Sequence, residues 1–294
     1  MKNDTFKSVI AKERSFFMAV PALIWQFLFL YIPLGFVVGI SFLQSFDQPF
    51  VSGVTINNYR FLISFTYLKI LFRSFSLAFF TAFFCLIIAY PIAYFLALRA
   101  GRFKNSLLFF LVLPFWTNFI VQVYAWFYIL DYRGVLNSVF LKLGVVSEPF
   151  RILNTFTAIY IVMLFCYLPF MVMPIYTSLS KIEKNTLEAS ADLGASTLQT
   201  LFYVTWPLSL SGVITGFFLV FIPSFGEFVI PSLLGGGKIM FVGSLIAYFF
   251  LETKNLFLGA AFTCVSGIFL IVSALSIYYL FRRYMMRFRG AYEK

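Results

Sequence analysis

The chain of 294 residues is 62% hydrophobic and only 11% charged, with a mean hydropathy of +0.94. A soluble domain carries roughly a quarter of its residues charged, so this composition excludes a soluble globular fold and requires an integral membrane protein. The net charge of +11 does not indicate nucleic acid, because the basic residues sit at the ends of apolar segments and not in a stripe with interleaved aromatics.

Taken in chain order, the apolar pattern predicts an all-α membrane protein that forms a single transmembrane domain over residues 1–294. The basic start, MKNDTFKSVIAKERS, leads into an apolar run that no small-residue cleavage site follows, so that run is expected to remain as an anchor. Six spanning helices are expected, at about 15–43, 70–98, 106–130, 156–179, 208–234 and 256–284. Each can cross a hydrocarbon core, which needs about 20 helical residues. Residues 44–69 leave room for a short element. Residues 131–155 contain GVLNSVFLKLG, which reads as a small amphipathic helix at the outer surface. With the N-terminus inside, fourteen of the 22 Lys and Arg residues fall on the inner side. The short turn RAGRFKN (99–105) and the tail FRRYMMRFR (281–289) are the strongest individual signals, so both termini and residues 180–207 are expected in the cytoplasm.

Cys85, Cys166 and Cys264 lie inside apolar runs with no pairing or metal spacing, and read as small buried hydrophobes. The chain has no His, which removes the commonest metal ligand and general base. No catalytic residue and no metal site are expected.

The polar island LEASADLGASTLQTLFYVTWP (187–207) interrupts this oily sequence. Asn185 and Thr186 are N-cap types, and 187–193 can form two helical turns. Ala189, Ser190 and Ala191 carry little bulk, so another surface could approach closely. Gly194 ends or bends the helix. A second short helix over 196–205 presents Leu198, Leu201 and Phe202, and Pro207 sits where the next span can begin. Connections in helical bundles ordinarily run about 2–8 residues, and this island is longer, as a docking element would be. The pattern resembles the EAA signature of permease subunits in bacterial binding-protein-dependent ABC importers. Here it reads Glu188-Ala189-Ser190, three residues, Gly194, nine residues, then Val204-Thr205-Trp206-Pro207. Ser190, Val204 and Trp206 depart from the family's Ala, Ile and Leu. The resemblance implies the fold of a type I importer permease with cytoplasmic coupling helices. It also implies that Glu188, Ala189, Ser190, Gly194, Ala195 and Pro207 form the region that couples to a separate ATPase. ATP and Mg would then be bound by that partner and not by this chain. Consistent with this, no G-x-x-x-x-G-K-[ST] occurs, and Gly235-Gly236-Gly237-Lys238 lacks the spacing.

Four further strings are similar to the polyamine branch of that family: LPFWTNFIVQVYAWFYIL (113–130), RGVLNSVFLKLGV (133–145), YLPFMVMPIYTSL (167–179) and FIPSFGEFVIPSLLGGG (221–237). The GEFVIPSLLGG stretch is closer to the putrescine-type subunit than to the spermidine-type one. The resemblance implies an inner-membrane permease paired with a second, homologous permease, a dimer of ATPase subunits and an extracytoplasmic substrate-binding protein.

A polyamine path needs carboxylates, carbonyls and aromatic faces. Glu227 is the acidic residue placed well inside a predicted span, and an intramembrane carboxylate is a functional candidate by default. Pro223, Gly226 and Pro231 flank it, so its helix is expected to break there and expose backbone carbonyls. A purely structural carboxylate, buried against a hydroxyl or a neighbouring subunit, is the competing reading. The third predicted span supplies Trp116, Asn118, Gln122, Tyr124 and Trp126, with Asp131 at its outer end. Asn118 and Gln122, four apart, are expected on one face. The aromatics have an equally simple account as an interfacial belt. Two alternatives stay open: the same machinery with another cargo (ferric ion, sulfate or an opine-like amine), and an ATP-independent secondary transporter. Secondary transporters commonly show internal repeats, and no duplicated motif is visible.

Overall fold

Small side chains decide how the helices of this protein meet. The computed structural model describes residues 20–43, 53–237 and 239–292. Along the chain run α1 (Val20–Ser41), α2 (Asn57–Leu62), α3 (Phe65–Leu98), α4 (Lys104–Val112) and α5 (Phe119–Leu130). There follow α6 (Val135–Lys142), α7 (Phe156–Leu179), α8 (Lys184–Asp192) and α9 (Thr197–Phe225). The chain then forms α10 (Val229–Leu234), α11 (Val242–Ala247) and α12 (Leu256–Tyr292). Five of these, α1, α3, α7, α9 and α12, are long and apolar enough to span a membrane, and a bent pair through α4 and α5 can supply a sixth.

The chain packs as two units. One comprises the described residues up to Ser64 together with Tyr248–Gly267. In it the end of α1 is tied to α2. The Asn58 amide donates to the carbonyls of Ser41 and Leu43, at 2.9 Å each. The Tyr59 hydroxyl lies 2.6 Å from Ser41 Oγ. The Tyr59 phenol is pushed above its ordinary range, chiefly by burial.

The second unit comprises Phe65–Ala247 and the chain from Ile268 onward. Its centre is α3, α7 and α9, which pack against one another in every pairing. Ala78, Ala82, Cys85, Ala89 and Ala93 of α3 are fully buried. They recur at steps of three or four and make one smooth helix face. In lipid, where tails are as apolar as side chains, close backbone approach of this kind replaces the hydrophobic effect as the source of association. On α9 the same device is sharper. A Cβ on Gly212 would stand 2.5 Å from the Pro174 carbonyl oxygen of α7 and 2.6 Å from Ser178 Cβ, and one on Gly216 would stand 2.9 Å from Met171 Sδ. This G-x-x-x-G pair lets α7 and α9 touch through their backbones. Polar groups close the bundle: Tyr90 Oη and Ser209 Oγ are 3.1 Å apart, and Ser74 Oγ accepts from the Val242 amide at 2.7 Å.

Several boundaries differ from the sequence expectation; α3 begins at Phe65 and not near 70, and α12 runs to Tyr292. The third span, expected unbroken over 106–130, bends by 95° between Gly101–Trp116 and Phe119–Lys142. The carbonyl of Pro114 takes the Thr117 amide (3.1 Å) and hydroxyl (2.7 Å) in place of a helical partner, and Asn118 restarts the helix as its N-cap. The short helix expected at 196–205 and the fifth span expected at 208–234 are one helix as far as Phe225. A widened turn over Leu201–Thr205 precedes Pro207, and such a turn absorbs the amide that proline lacks. At the far end this helix stops at Phe225, ahead of Gly226 and Glu227. Finally, α8 begins at Lys184 with Glu183 as its N-cap, so Asn185 and Thr186 lie inside the helix. Residues 15–19 of the first expected span and 44–52 of the first outer segment fall outside the described residues.

Replacing Gly212 by Val should wedge α7 from α9. Overpacking of this kind costs about 1–3 kcal/mol, read as a lower melting temperature of the solubilised chain. Gly39→Val, where a side chain meets nothing within 4 Å, should leave that temperature unchanged.

Candidate functional site

Two places hold the polar groups singled out in the sequence. The first is the α8 island. Gly194 holds φ +79°, in the left-handed region that only glycine enters without strain. Its amide donates to Ala191 O (2.8 Å), and the Ala195 amide donates to Ser190 O (3.1 Å). These are the two bonds of a Schellman cap, so Gly194 ends α8 by geometry and not by flexibility. Two residues on, Ser196 and Gln199 form a capping box that starts α9. Ser190, the departure from the family's third alanine, is buried. Its hydroxyl donates to Leu187 O at 2.8 Å and lies 3.0 Å from Thr200 Oγ1. It clasps α8 to the first turn of α9 and faces its own chain. Glu188, Ala189 and Gly194 are exposed, Ala195 is half-buried, and Pro207 is half-buried inside α9. Leu193 and Leu198 are also exposed, Leu193 at 89%. A polar helix with apolar tips is the make-up of a protein-docking surface.

The second place is a cavity of about 650 Å³ between α5, α7 and α9, whose lining includes Phe115, Gln122, Phe165, Tyr167, Phe170 and Glu227. Glu227 reaches it because α9 stops at Phe225. Its Oε1 accepts from the amides of Val229 (2.9 Å) and Ile230 (3.4 Å) at the start of α10. The Tyr167 hydroxyl donates to Oε2 at 2.8 Å. The break is braced from behind. Gly243 of α11 lies so close to the Gly226 carbonyl that a Cβ there would collide with it, and would stand 3.0 Å from Phe228 Cβ. Gln122 sits across the lining, its Nε2 donating to Pro114 O and Thr117 Oγ1. With the amide hydrogens so directed, its Oε1 remains as an acceptor.

Of the candidates in the third span, Gln122 alone lines the cavity with Glu227. Trp126 stands behind that wall, edge-on to Phe165 at 5.1 Å. Asn118 does not share a helix face with Gln122, because it precedes α5 and caps it, accepting from the Ile120 amide at 2.9 Å. Trp116 is exposed and packs edge-on to Phe109 at 5.7 Å. Tyr124 is exposed away from the lining. The Asp131 carboxylate closes a turn by accepting from the Arg133 amide at 3.0 Å. That turn is stitched to residue 150 by the buried Asn137, whose amide donates to Asp131 O, Tyr132 O and Phe150 O. Sequence reasoning missed Tyr167 as the partner of Glu227; the available signal was a phenol in mid-helix, which needs a polar partner when buried. It also missed the Ser190–Thr200 clasp.

An oriented carboxylate beside an amide oxygen, inside aromatic walls, suits an organic cation. Residues 89–286 match the family described as binding-protein-dependent transport system inner membrane component. The spermidine/putrescine transport system permease protein PotB of Escherichia coli (strain K12) is 39% identical over 260 residues, covering 87% of this chain and 94% of that protein. The protein of the same name from Haemophilus influenzae is 37% identical, covering 88% and 90%. A bacterial ABC transporter involved in the import of the acidic polysaccharide alginate contains a chain of the same fold, with TM-score 0.73 at 15% identity, covering 95% of this chain and 98% of that one. The chain belongs to the family of binding-protein-dependent transport system inner membrane components. It is a multi-helix transport subunit of the inner membrane and not an enzyme, and the secondary-transporter reading falls away.

The clasp is testable apart from transport. Ser190→Ala and Thr200→Val should each speed amide exchange in α8, by the loss of a bond worth about 0.5–1.5 kcal/mol. The double variant should exchange no faster than Ser190→Ala alone, which already loses the bonds to both Leu187 O and Thr200; additive effects would mean that the hydroxyls do not act as a pair.

Proposed function

We propose that this chain is one half of the membrane path of an ATP-driven importer of polyamines, putrescine or spermidine. The carrying observation is the Glu227 carboxylate, held by Tyr167 and two amides and lining an aromatic-walled cavity that Gln122 shares. It is joined by the relatives named for spermidine and putrescine. An ammonium group finds there a fixed counter-charge, while the methylenes between ammonium groups lie against phenyl rings. A carboxylate at this point would repel an oxyanion, which disfavours sulfate as cargo.

In this reading the whole chain works as one permease domain, with α8 and both termini in the cytoplasm, as the distribution of Lys and Arg favours. A dimer of ATPase subunits binds ATP and Mg and docks on α8, where Glu188, Ala189 and the Gly194 corner are exposed. A second, homologous permease closes the other side of the path. A substrate-binding protein delivers cargo from outside; a neighbour of the same fold comes from an alginate transporter solved with its periplasmic protein. ATP binding draws the docking helices together, the path opens outward and takes the cation, and hydrolysis resets it.

The test is uptake of radiolabelled putrescine and spermidine into proteoliposomes holding this chain with its ATPase, second permease and binding protein. Glu227→Gln should keep assembly and lower uptake severalfold. Unchanged uptake would make Glu227 a structural group and overturn the assignment. Gly194→Val forces a branched side chain into the left-handed region, at about 1–2 kcal/mol. It should leave ATP hydrolysis running while uptake falls; normal uptake would count against the docking role of α8.

A further inference from the structure

A second cavity, of about 490 Å³, continues the first along α7 and α9. The two share Phe115, Pro169, Phe170 and Leu219 in their walls. Its character differs from that of the Glu227 cavity. Four hydroxyls line it, those of Thr177, Ser178, Ser211 and Thr215, and Lys181 stands with them.

The hydroxyls are oriented by their own helices. Thr177 Oγ1 donates to Met173 O, and Thr215 Oγ1 donates to Ser211 O, both at 2.8 Å. Ser178 Oγ and Ser211 Oγ bond to each other at 3.0 Å across the α7–α9 contact. The threonine hydrogens point back into the helices, so their oxygens present lone pairs to the cavity. A row of lone pairs suits a passing ammonium group and offers it no tight counter-charge. Along α7, Tyr167 beside Glu227 and Ser178 in the hydroxyl section are separated by about 16 Å of helix rise. The two cavities therefore run in series: carboxylate, neutral oxygens, then the Lys181 ammonium.

Lys181 also occupies a special place in the chain. Its amide donates to Ser178 O at 3.3 Å, in the turn that closes α7, and α8 begins at Lys184. The same residue thus borders the inner cavity and sits in the short link to the docking helix. Resting on the polyamine reading above, we propose that Lys181 is a charge gate at the inner end of the path. Its ammonium opposes the return of a polycation into the path while α8 is at rest. The gate keeps imported cation from leaking back, and its place in the link to α8 ties its position to the ATPase cycle.

The experiment uses the full complex in proteoliposomes preloaded with radiolabelled putrescine, without ATP. Lys181→Gln should raise efflux severalfold, Lys181→Glu should raise it further, and Lys181→Arg should stay near the unsubstituted level. Equal efflux from all four complexes, each verified as assembled, would overturn the gate and leave Lys181 as an interfacial charge. Arg leaking as much as Gln would overturn the charge argument, because shape alone would then matter. Absence of ATP-dependent putrescine uptake in the unsubstituted complex would instead strike the polyamine reading itself, and the gate with it.

Discussion

The polar linings of both cavities depend on the backbone contact between α7 and α9. Gly212 and Gly216 remove the side chains that would hold these helices apart. Only at that separation can Ser178 and Ser211 bond directly, and only then do the lining residues of both cavities face a common space. Large residues line the exposed side of the same helices, including Phe170, Leu219 and Ile222. The pair therefore has a tight seam and an open flank. A tight seam fixes distances between polar groups to tenths of an ångström, as close-packed interiors do.

A second constraint is the end of α9. A helix that continued through Glu227 would give its carboxylate no amides to bind. Stopping at Phe225 frees the amides of Val229 and Ile230, and the carboxylate takes both. The stop is enforced by neighbours: Gly243 presses on the Gly226 backbone, and α11 is itself pinned to α3 through Ser74. Irregular backbone at membrane depth is tolerated where protein buries it or where it lines a cavity, and both conditions hold here. The carboxylate is thus oriented before any cargo arrives, with Tyr167 on the other oxygen.

Much of this was legible in the residues. The all-helical membrane class, the island around Gly194 and the break near Glu227 follow from apolar runs, spacing and flanking prolines. What was not legible has a common cause. Asn118 reads as a polar residue on a helix face until Pro114 and Thr117 are seen to end the preceding helix, whereupon it becomes a cap. Pro207 reads as a helix start until the widened turn before it absorbs the missing amide. Ser190 reads as a small docking residue until Thr200 is found opposite it. Gly212 and Gly216 show their role only when α7 is brought against them. In each case the meaning of the residue lies in a partner that periodicity does not specify, a few positions away or on another helix.

The clasp and the seam together make α9 a mechanical link. Its first turn is fixed to α8 by Ser190 and Thr200, its middle is locked to α7 by two glycines, and its last turn precedes the carboxylate. From Thr197 to Phe225 this is about 42 Å of helix at 1.5 Å per residue. The soft place nearest α8 is the widened turn at Leu201–Thr205, where the Thr205 hydroxyl donates to Leu201 O at 2.9 Å. Motion entering at α8 must either bend α9 at this turn or carry α7 and α9 together as one body, because the glycine seam resists shear. Rigid-body rocking of a helix pair changes the width of the open flank without parting Tyr167, which rides on α7, from Glu227, which follows two residues after α9. On the function proposed above, a path built this way can open and close around a fixed Glu227 carboxylate.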